Sequence, residues 1–205
     1  MAPLKHLRRL AALCTFAGAG VFVQAQTPVL AAVPPAPLLV AAAQPTVAQE
    51  SRVKAAYIVK FTQYTNWPTT AFASDTSPIV IGVIDPSLLT TDLEQEARRI
   101  TSPRRIEIRT VSTADEAAHC HAVFFGRTDA RQEENWLPAL QEKPILTVGE
   151  TDRTIKHGAV IRLVTEGKKV LFEVSRPAMD RASLKISTDM LRYAKAVHNM
   201  PEEPN

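Results

Sequence analysis

The chain predicts an α/β fold: a single three-layer domain with a mostly parallel sheet, right-handed βαβ units and an antiparallel C-terminal hairpin at the sheet edge. Three observations predict it. Short apolar runs alternate with amphipathic stretches between Ile79 and Val148, which is the rhythm of βαβ units with right-handed crossovers. The first of those runs is almost continuously apolar, as in a strand covered on both faces. After Gly149 the rhythm changes to two strand-like runs separated by Thr165-Glu166-Gly167-Lys168, a hairpin signal.

The elements follow in order. Val53, Ala56, Tyr57, Phe61 and Tyr64 recur at helical spacing and give one apolar, aromatic face, and Pro68 discourages continuation past Trp67. Ile79 to Ile84, set between Pro78 and Asp85-Pro86, reads as a buried strand. Asp85 is placed as a helix cap with Pro86 at the first helical position, and Leu89, Leu93, Ala97 and Ile100 continue the helix. Arg105 to Val111 alternates as a half-exposed strand, and Ser112 to Glu116 starts a short capped helix. Ala122 to Phe125 gives a third strand, Asp129 to Leu140 a helix and Pro144 to Val148 a fourth strand. Ala159 to Val164 and Lys169 to Val174 form the hairpin, and two helices, Arg176 to Ala182 and Thr188 to Val197, close the domain.

Upstream of the domain, Lys5, Arg8 and Arg9 precede an uncharged, mostly apolar run from Leu10 to Val23. This is the pattern of a signal peptide over residues 1–25, with cleavage near Ala25. A cut near Ala43 would leave the same domain. The run is shorter than the roughly 20 residues of a membrane span, and Leu13 before Cys14 speaks against lipid attachment. Residues 26–50 are rich in Pro and Ala and carry no charge before Glu50, a composition that favours an extended linker. The domain is expected over residues 51–198 and a frayed tail over 199–205.

The chain has 24 basic and 21 acidic residues, and losing Lys5, Arg8 and Arg9 with the signal evens that balance. A neutral mature protein offers no electrostatic reason to bind nucleic acid. Arg98-Arg99 with Arg104-Arg105 is the one local basic cluster, read as a solvated connection. Loss of Cys14 leaves Cys120 without an internal partner, so stability must come from the core, from metal or from association. About 155 residues suffice for one core burying on the order of 70% of the unfolded surface.

Chemistry is sought in the turns after Ile84, Val111, Phe125 and Val148, at the carboxyl ends of the strands. The first turn, Asp85-Pro86-Ser87, has no glycine-rich loop, and its carboxylate would repel a phosphate, so no nucleotide cofactor is expected. His119-Cys120-His121 supplies at most two ligands on one strand face where a closed zinc site needs four, so no metal is expected. There is no Gly-x-Ser-x-Gly, and Glu150, Asp152 and Glu173 read as surface carboxylates near turns. No catalytic residue is predicted, and the chain reads as a non-enzyme. Tyr57 and Phe61 are expected to pack the helix onto the sheet. Tyr64 and Trp67, at its end, are candidate contact residues.

The helix ending in Asn66-Trp67-Pro68, the strand Cys120 to Gly126, the run Pro144 to Glu150, and the ending Phe172-Glu173-Val174 with Ala182 to Ser187 through Leu191 occur in order. Together they resemble the YfiR family of bacterial periplasmic proteins from Val53 to Ala196. The resemblance implies a periplasmic regulator without cofactor or catalytic activity. Its partner would be the periplasmic domain of an inner-membrane diguanylate cyclase, which it holds inactive, lowering cyclic-di-GMP, exopolysaccharide and biofilm. Homodimers and release by a sequestering envelope protein are implied as well. Arg181, Leu184 and Lys185 join Tyr64 and Trp67 as candidate interface residues. The alternative is a sensor of a small ligand, a cell-wall fragment or metabolite. Two departures stand out. Some relatives carry disulfides that Cys120 cannot form, and Ser183 stands where a glycine is common, so a left-handed backbone there is costlier or absent.

Overall fold

The computed structural model describes residues 47–84, 88–126 and 130–199. The expected signal peptide, the linker as far as Thr46, the Asp85-Pro86 helix start and the tail from Met200 lie outside the described residues.

The apolar stripe produces helix α1 (Val47–Tyr64). It begins ahead of Ser51, inside the stretch expected as linker, where Glu50 in its first turn meets Lys54 at 2.6 Å. An acidic residue near the helix start and an i, i+4 pair both favour that extra turn. The buried face runs through Ala55, Ile58, Val59, Phe61 and Thr62, whereas Val53 and Tyr64 of the expected face are exposed. Several stripes satisfy helical spacing, and the one carrying the aliphatic pair Ile58 and Val59 takes the sheet. Tyr57 lies at its margin, with ring centroids 5.8 Å from Phe61 and 5.7 Å from Phe172.

Helix α1 stops at Tyr64, short of Trp67. The Thr65 hydroxyl turns back and donates to the Phe61 carbonyl at 2.7 Å, and β1 (Thr65–Asn66) leaves the helix to pair elsewhere. A 3-10 turn at Thr69–Ala71 follows Pro68.

The expected strands and helices then alternate: β2 (Ile79–Ile84), α2 (Leu88–Arg99), β3 (Ile106–Thr110), α3 (Ala114–Ala117), β4 (Ala122–Phe125), α4 (Ala130–Leu140), β5 (Leu146–Gly149), β6 (Ile161–Glu166) and β7 (Lys169–Ser175). Thr113 caps α3 by accepting from the Glu116 N–H at 3.1 Å, and the Glu116 carboxylate accepts from the Ser112 N–H at 2.7 Å. That reciprocal pair satisfies two donors at the helix start. The sheet order is β3-β2-β4-β5-β6-β7, with a last strand, β9 (Ala196–His198), beyond β7. Strands β3 through β6 are parallel and β7 returns antiparallel to β6.

All of β2 is buried, which is what a central strand with helices on both sides requires. Ile81 and Val83 join the core that contains Ile58, Phe61, Leu89 and Leu93 from α1 and α2. Val80 and Ile84 face the other layer, with Ala117 from α3 and Leu137 and Leu140 from α4. Gly82 sits where a Cβ would come within 2.8 Å of the Cys120 sulfur, so Cys120 is a packing residue on that second face. Gly167 has φ 58° in the tight turn that lets Glu166 pair with Lys169, a conformation glycine adopts without strain.

The C-terminal end corrects two expectations. The helix expected from Thr188 to Val197 is only α6 (Thr188–Leu191), and β9 (Ala196–His198) pairs parallel to β7. The hairpin is therefore one strand in from the edge. The cause is tertiary: β7 offers an open ladder, and the Lys195 N–H donates to the Phe172 carbonyl at 2.8 Å. Helix α5 (Arg176–Arg181) and strand β8 (Lys185–Ile186) lie between.

Candidate protein-contact surface

Two segments far apart in the chain meet at the end of α1, and local chemistry directs both. On one side the helix yields to β1 at Thr65. On the other, α5 is capped by the Ser175 hydroxyl, which accepts from the Ala178 N–H at 3.4 Å. It ends in a Schellman motif: the Leu184 N–H donates to the Met179 carbonyl and the Ser183 N–H to the Asp180 carbonyl, both at 3.0 Å. Ser183 takes the left-handed position with φ 55°, so the backbone expected to be costlier or absent without glycine is present in serine form. The Leu184 side chain closes the motif by burying itself in the core with Met179.

The chain leaves that cap as β8, which pairs antiparallel with β1: Thr65 opposite Ile186 and Asn66 opposite Lys185. The Ser187 N–H donates to the Tyr64 carbonyl at 2.8 Å. The predicted contact residues are thus assembled around one small two-stranded sheet. Tyr64 is 43% exposed, Arg181 and Lys185 are exposed, and Trp67 is half-buried. Leu184 is the exception. At 1% exposure its side chain offers no surface, because the cap turns it inward.

Trp67 belongs to a ring cluster that sequence reasoning missed. Phe72 stacks on His121 with centroids 4.5 Å apart, and Trp67 meets Phe72 and His121 edge-on at 6.1 and 6.4 Å. The Arg104 guanidinium lies 3.9 Å above the Phe72 ring, a cation–π arrangement. Arg104 also donates to the Ser74 and Ser77 carbonyls at 2.8 and 2.9 Å. An open cleft of about 850 Å³ lies against this cluster, lined by Thr62, Asn66, Trp67, Phe72, Asp75 and Arg104. The indole N–H of Trp67 is buried and has no hydrogen-bond partner among the described residues. The cleft lies at the amino end of β2, opposite the carboxyl ends where ligands of parallel sheets usually bind. The one sequence signal for the cluster was Trp67, marked at the end of the helix before Pro68.

His121 holds this corner together. Its Nδ1 accepts from the Val80 N–H at 3.1 Å, which leaves Nε2 to donate to the Ala71 carbonyl at 3.1 Å. Burial lowers its pKa and the Arg104 charge adds to that effect, against the hydrogen bond to Ala71. Both ring nitrogens are therefore engaged by backbone, and neither is open to an ion. His119 is exposed in the turn before β4 and does not share a strand face with His121.

The carboxylates considered for acid–base chemistry are tied into ion pairs. Glu150 accepts from Lys54 at 2.9 Å, and Asp152 meets Arg162 at 2.9 Å. Glu173 binds Arg162, Lys195 and His198 at 3.2, 3.4 and 3.2 Å. Burial opposes the Glu173 charge, but the hydrogen bond from His198, the Arg162 charge and Lys195 outweigh it and hold its pKa below the usual carboxylate value. Among the candidate turns, those after Ile84 and Phe125 lie outside the described residues. The turn after Val111 is spent on the α3 cap.

A family model described as YfiR/HmsC-like matches residues 51–195. The chain belongs to the YfiR/HmsC-like family. Membership supports a regulatory role in the periplasm. Among the described residues, no helix is long and apolar enough to cross a membrane.

Two solved structures are also similar. A conserved domain protein from Vibrio cholerae O1 biovar El Tor is 11% identical over 72% of this chain, with a TM-score of 0.48. The ABC domain in complex with L-Trp from Streptococcus pneumoniae is 11% identical over 70% of this chain, with the same score. This YfiR/HmsC-like chain spans 60% of the length of each.

Proposed function

We propose that this protein is a periplasmic regulator that binds the periplasmic sensory domain of an inner-membrane diguanylate cyclase and holds the enzyme inactive. Cyclic-di-GMP, exopolysaccharide and biofilm fall as a result. Residues 1–25 serve as a signal peptide cleaved near Ala25, and residues after it tether the domain. The observation that supports the binding role is the junction of β1 with β8, where Asn66 stands opposite Lys185 and the carbonyl of the exposed Tyr64 accepts from the Ser187 N–H. Aromatic residues and arginine dominate protein interfaces, because they bury large rigid area and keep a polar handle.

Inhibition is a population shift. A regulator silences a two-state receptor only by binding the inactive state more tightly, and carrying the receptor from mostly active to mostly inactive takes roughly 5.5 kcal/mol of differential affinity. An envelope protein that covers the same surface, or competes for it within a homodimer, relieves the inhibition by mass action.

The test uses tagged full-length protein in its own host. Capture from solubilised membranes is expected to recover a receptor with a periplasmic sensor and a cytoplasmic cyclase. Tyr64→Ala with Lys185→Glu is expected to lose that receptor and to raise cyclic-di-GMP as deletion does. Unchanged cyclic-di-GMP on deletion would count decisively against the reading.

The cleft beside Trp67 favours one second reading, a small-ligand sensor. Its lining, with the rings of Trp67 and Phe72 beside Asn66, Asp75 and Arg104, suits a compact ligand with one apolar part and a few polar groups. Thermal shifts across cell-wall fragments and metabolites test it, and a flat response retires it.

A further inference from the structure

At the opposite edge of the sheet from β9, strand β3 pairs only with β2 among the described residues. The Arg105 carbonyl accepts from the Ile79 N–H at 2.8 Å, and the Val111 N–H donates to the Val83 carbonyl at 3.0 Å. The odd-numbered backbone groups of the strand therefore face β2. Alternate residues of a ladder address the same neighbour, so the N–H and C=O groups of Ile106, Ile108 and Thr110 point outward.

Arginines flank this edge on both faces of the sheet. Arg98 and Arg99 end α2 on one face, each with a side chain 69% exposed. Ile106 and Ile108 pack toward that same layer, which places Arg105, Glu107 and Arg109 on the other face. There Glu107 is shared between Arg105 and Arg109 at 3.1 and 3.2 Å. Arg104 stands before the strand and meets no carboxylate among the described residues. Along the end of α2 and β3 itself arginines outnumber carboxylates, with Glu94, Glu96 and Glu107 answering Arg98, Arg99, Arg104, Arg105 and Arg109, while Asp115 and Glu116 of α3 stand beyond the carboxyl end of the strand. A groove of about 710 Å³ lies against α2 and β3, its lining including Ile100, Ile106 and Ile108 together with Glu94, Arg98 and Arg105.

The geometry points to the outer edge of β3 as a docking site for an extended acidic segment of a partner polypeptide, which joins the sheet as an added strand. Its backbone pairs with the outward groups of Ile106, Ile108 and Thr110, and its carboxylates meet the arginines on either flank. Backbone pairing supplies the affinity of such additions and flanking side chains the selectivity. Charged residues also protect free edges from unwanted pairing. A guard of that kind rejects every strand, whereas an excess of one sign selects strands of the opposite sign. An anionic lipid surface would use the same arginines without the backbone edge.

The full chain is titrated against a fluorescent peptide of alternating Glu and Val long enough to span β3, against its Lys counterpart, and against phosphatidylglycerol vesicles. Binding of the Glu peptide alone is expected. Thr110 is exposed and its N–H faces outward, so Thr110→Pro removes an edge donor without touching the β2 ladder. It should weaken the Glu peptide by about tenfold or more. Arg98→Glu, Arg105→Glu and Arg109→Glu together should abolish it. The same peptide N-methylated at alternate positions tests the pairing on unaltered protein and should also fail. Equal binding of the methylated and unmethylated peptides overturns the strand addition. So does an unaltered protein that ignores the Glu peptide, or one that binds only the vesicles.

Discussion

Replacing Ser183 by glycine is expected to stabilise the domain. Ser183 holds φ 55° at the end of α5, where a Cβ crowds the following carbonyl and costs about 1–2 kcal/mol. The side chain is exposed and makes no hydrogen bond among the described residues, so its removal forfeits no contact. Against the relief stands the wider freedom of glycine in the unfolded chain, about 0.5–1 kcal/mol. At the middle of each range the net gain is about 0.75 kcal/mol, or about 1.5–3 °C in Tm for a domain of this size. Thermal melts followed by circular dichroism, with urea midpoints as a check, read the change. Ser183→Ala should match the unaltered protein, since it keeps the Cβ, and Ser183→Val should melt lower. A glycine variant that melts at or below the starting temperature refutes the argument, because the left-handed strain would then be absent or already compensated.

Three further outcomes follow from the same structure. Leu184→Ala removes a side chain that is 1% exposed and should cost about 2–5 kcal/mol in urea unfolding, while Lys185→Ala leaves stability within about 0.5 kcal/mol; equal effects would contradict the inward turn of Leu184. Glu173 has a folded-state pKa lowered from 4.5, so its contribution is complete above that value and disappears as pH falls through the folded pKa. Glu173→Gln should therefore flatten the acid limb of the stability profile and lower neutral-pH stability by about 1–3 kcal/mol, and an unchanged acid limb counts against the Arg162, Lys195 and His198 cluster. The His121 ring should titrate below 6.5 by NMR, with stability falling as pH drops through that value because the unfolded imidazole takes its proton first; titration at or above 6.5 would contradict the burial of the ring beside Arg104.

Much of the architecture was legible because it is written in local periodicity. The β2 run and the hairpin turn at Gly167 fall where patterning places them, since an apolar strand between two helical layers and a left-handed turn residue each have a short-range signature. The face of α1 was read one step out of phase, because Val53 and Tyr64 satisfy helical spacing as well as Ile58 and Val59 do. The corner around Trp67 was half-visible. Trp67 beside Pro68 could be marked, but Arg104 and His121 come from distant segments and only the folded chain brings them against Phe72.

The sequence by itself determined a YfiR/HmsC-like α/β domain: its alternation of strand and helix from Ile79 to Val174, its buried central strand and the capped short helix after Val111. Tertiary structure alone decided what the C-terminal third does. Residues 196–198 have helical patterning, yet they become a strand because β7 presents an unpaired ladder and Glu173 gathers Arg162, Lys195 and His198 around one carboxylate. Thr65-Asn66 and Lys185-Ile186 have no strand signal of their own and pair only because the Schellman turn at Ser183 brings them together. Local spacing encodes which face of an element is apolar. It carries no information about which distant backbone stands open beside it, and that open backbone sets where the chain finally pairs.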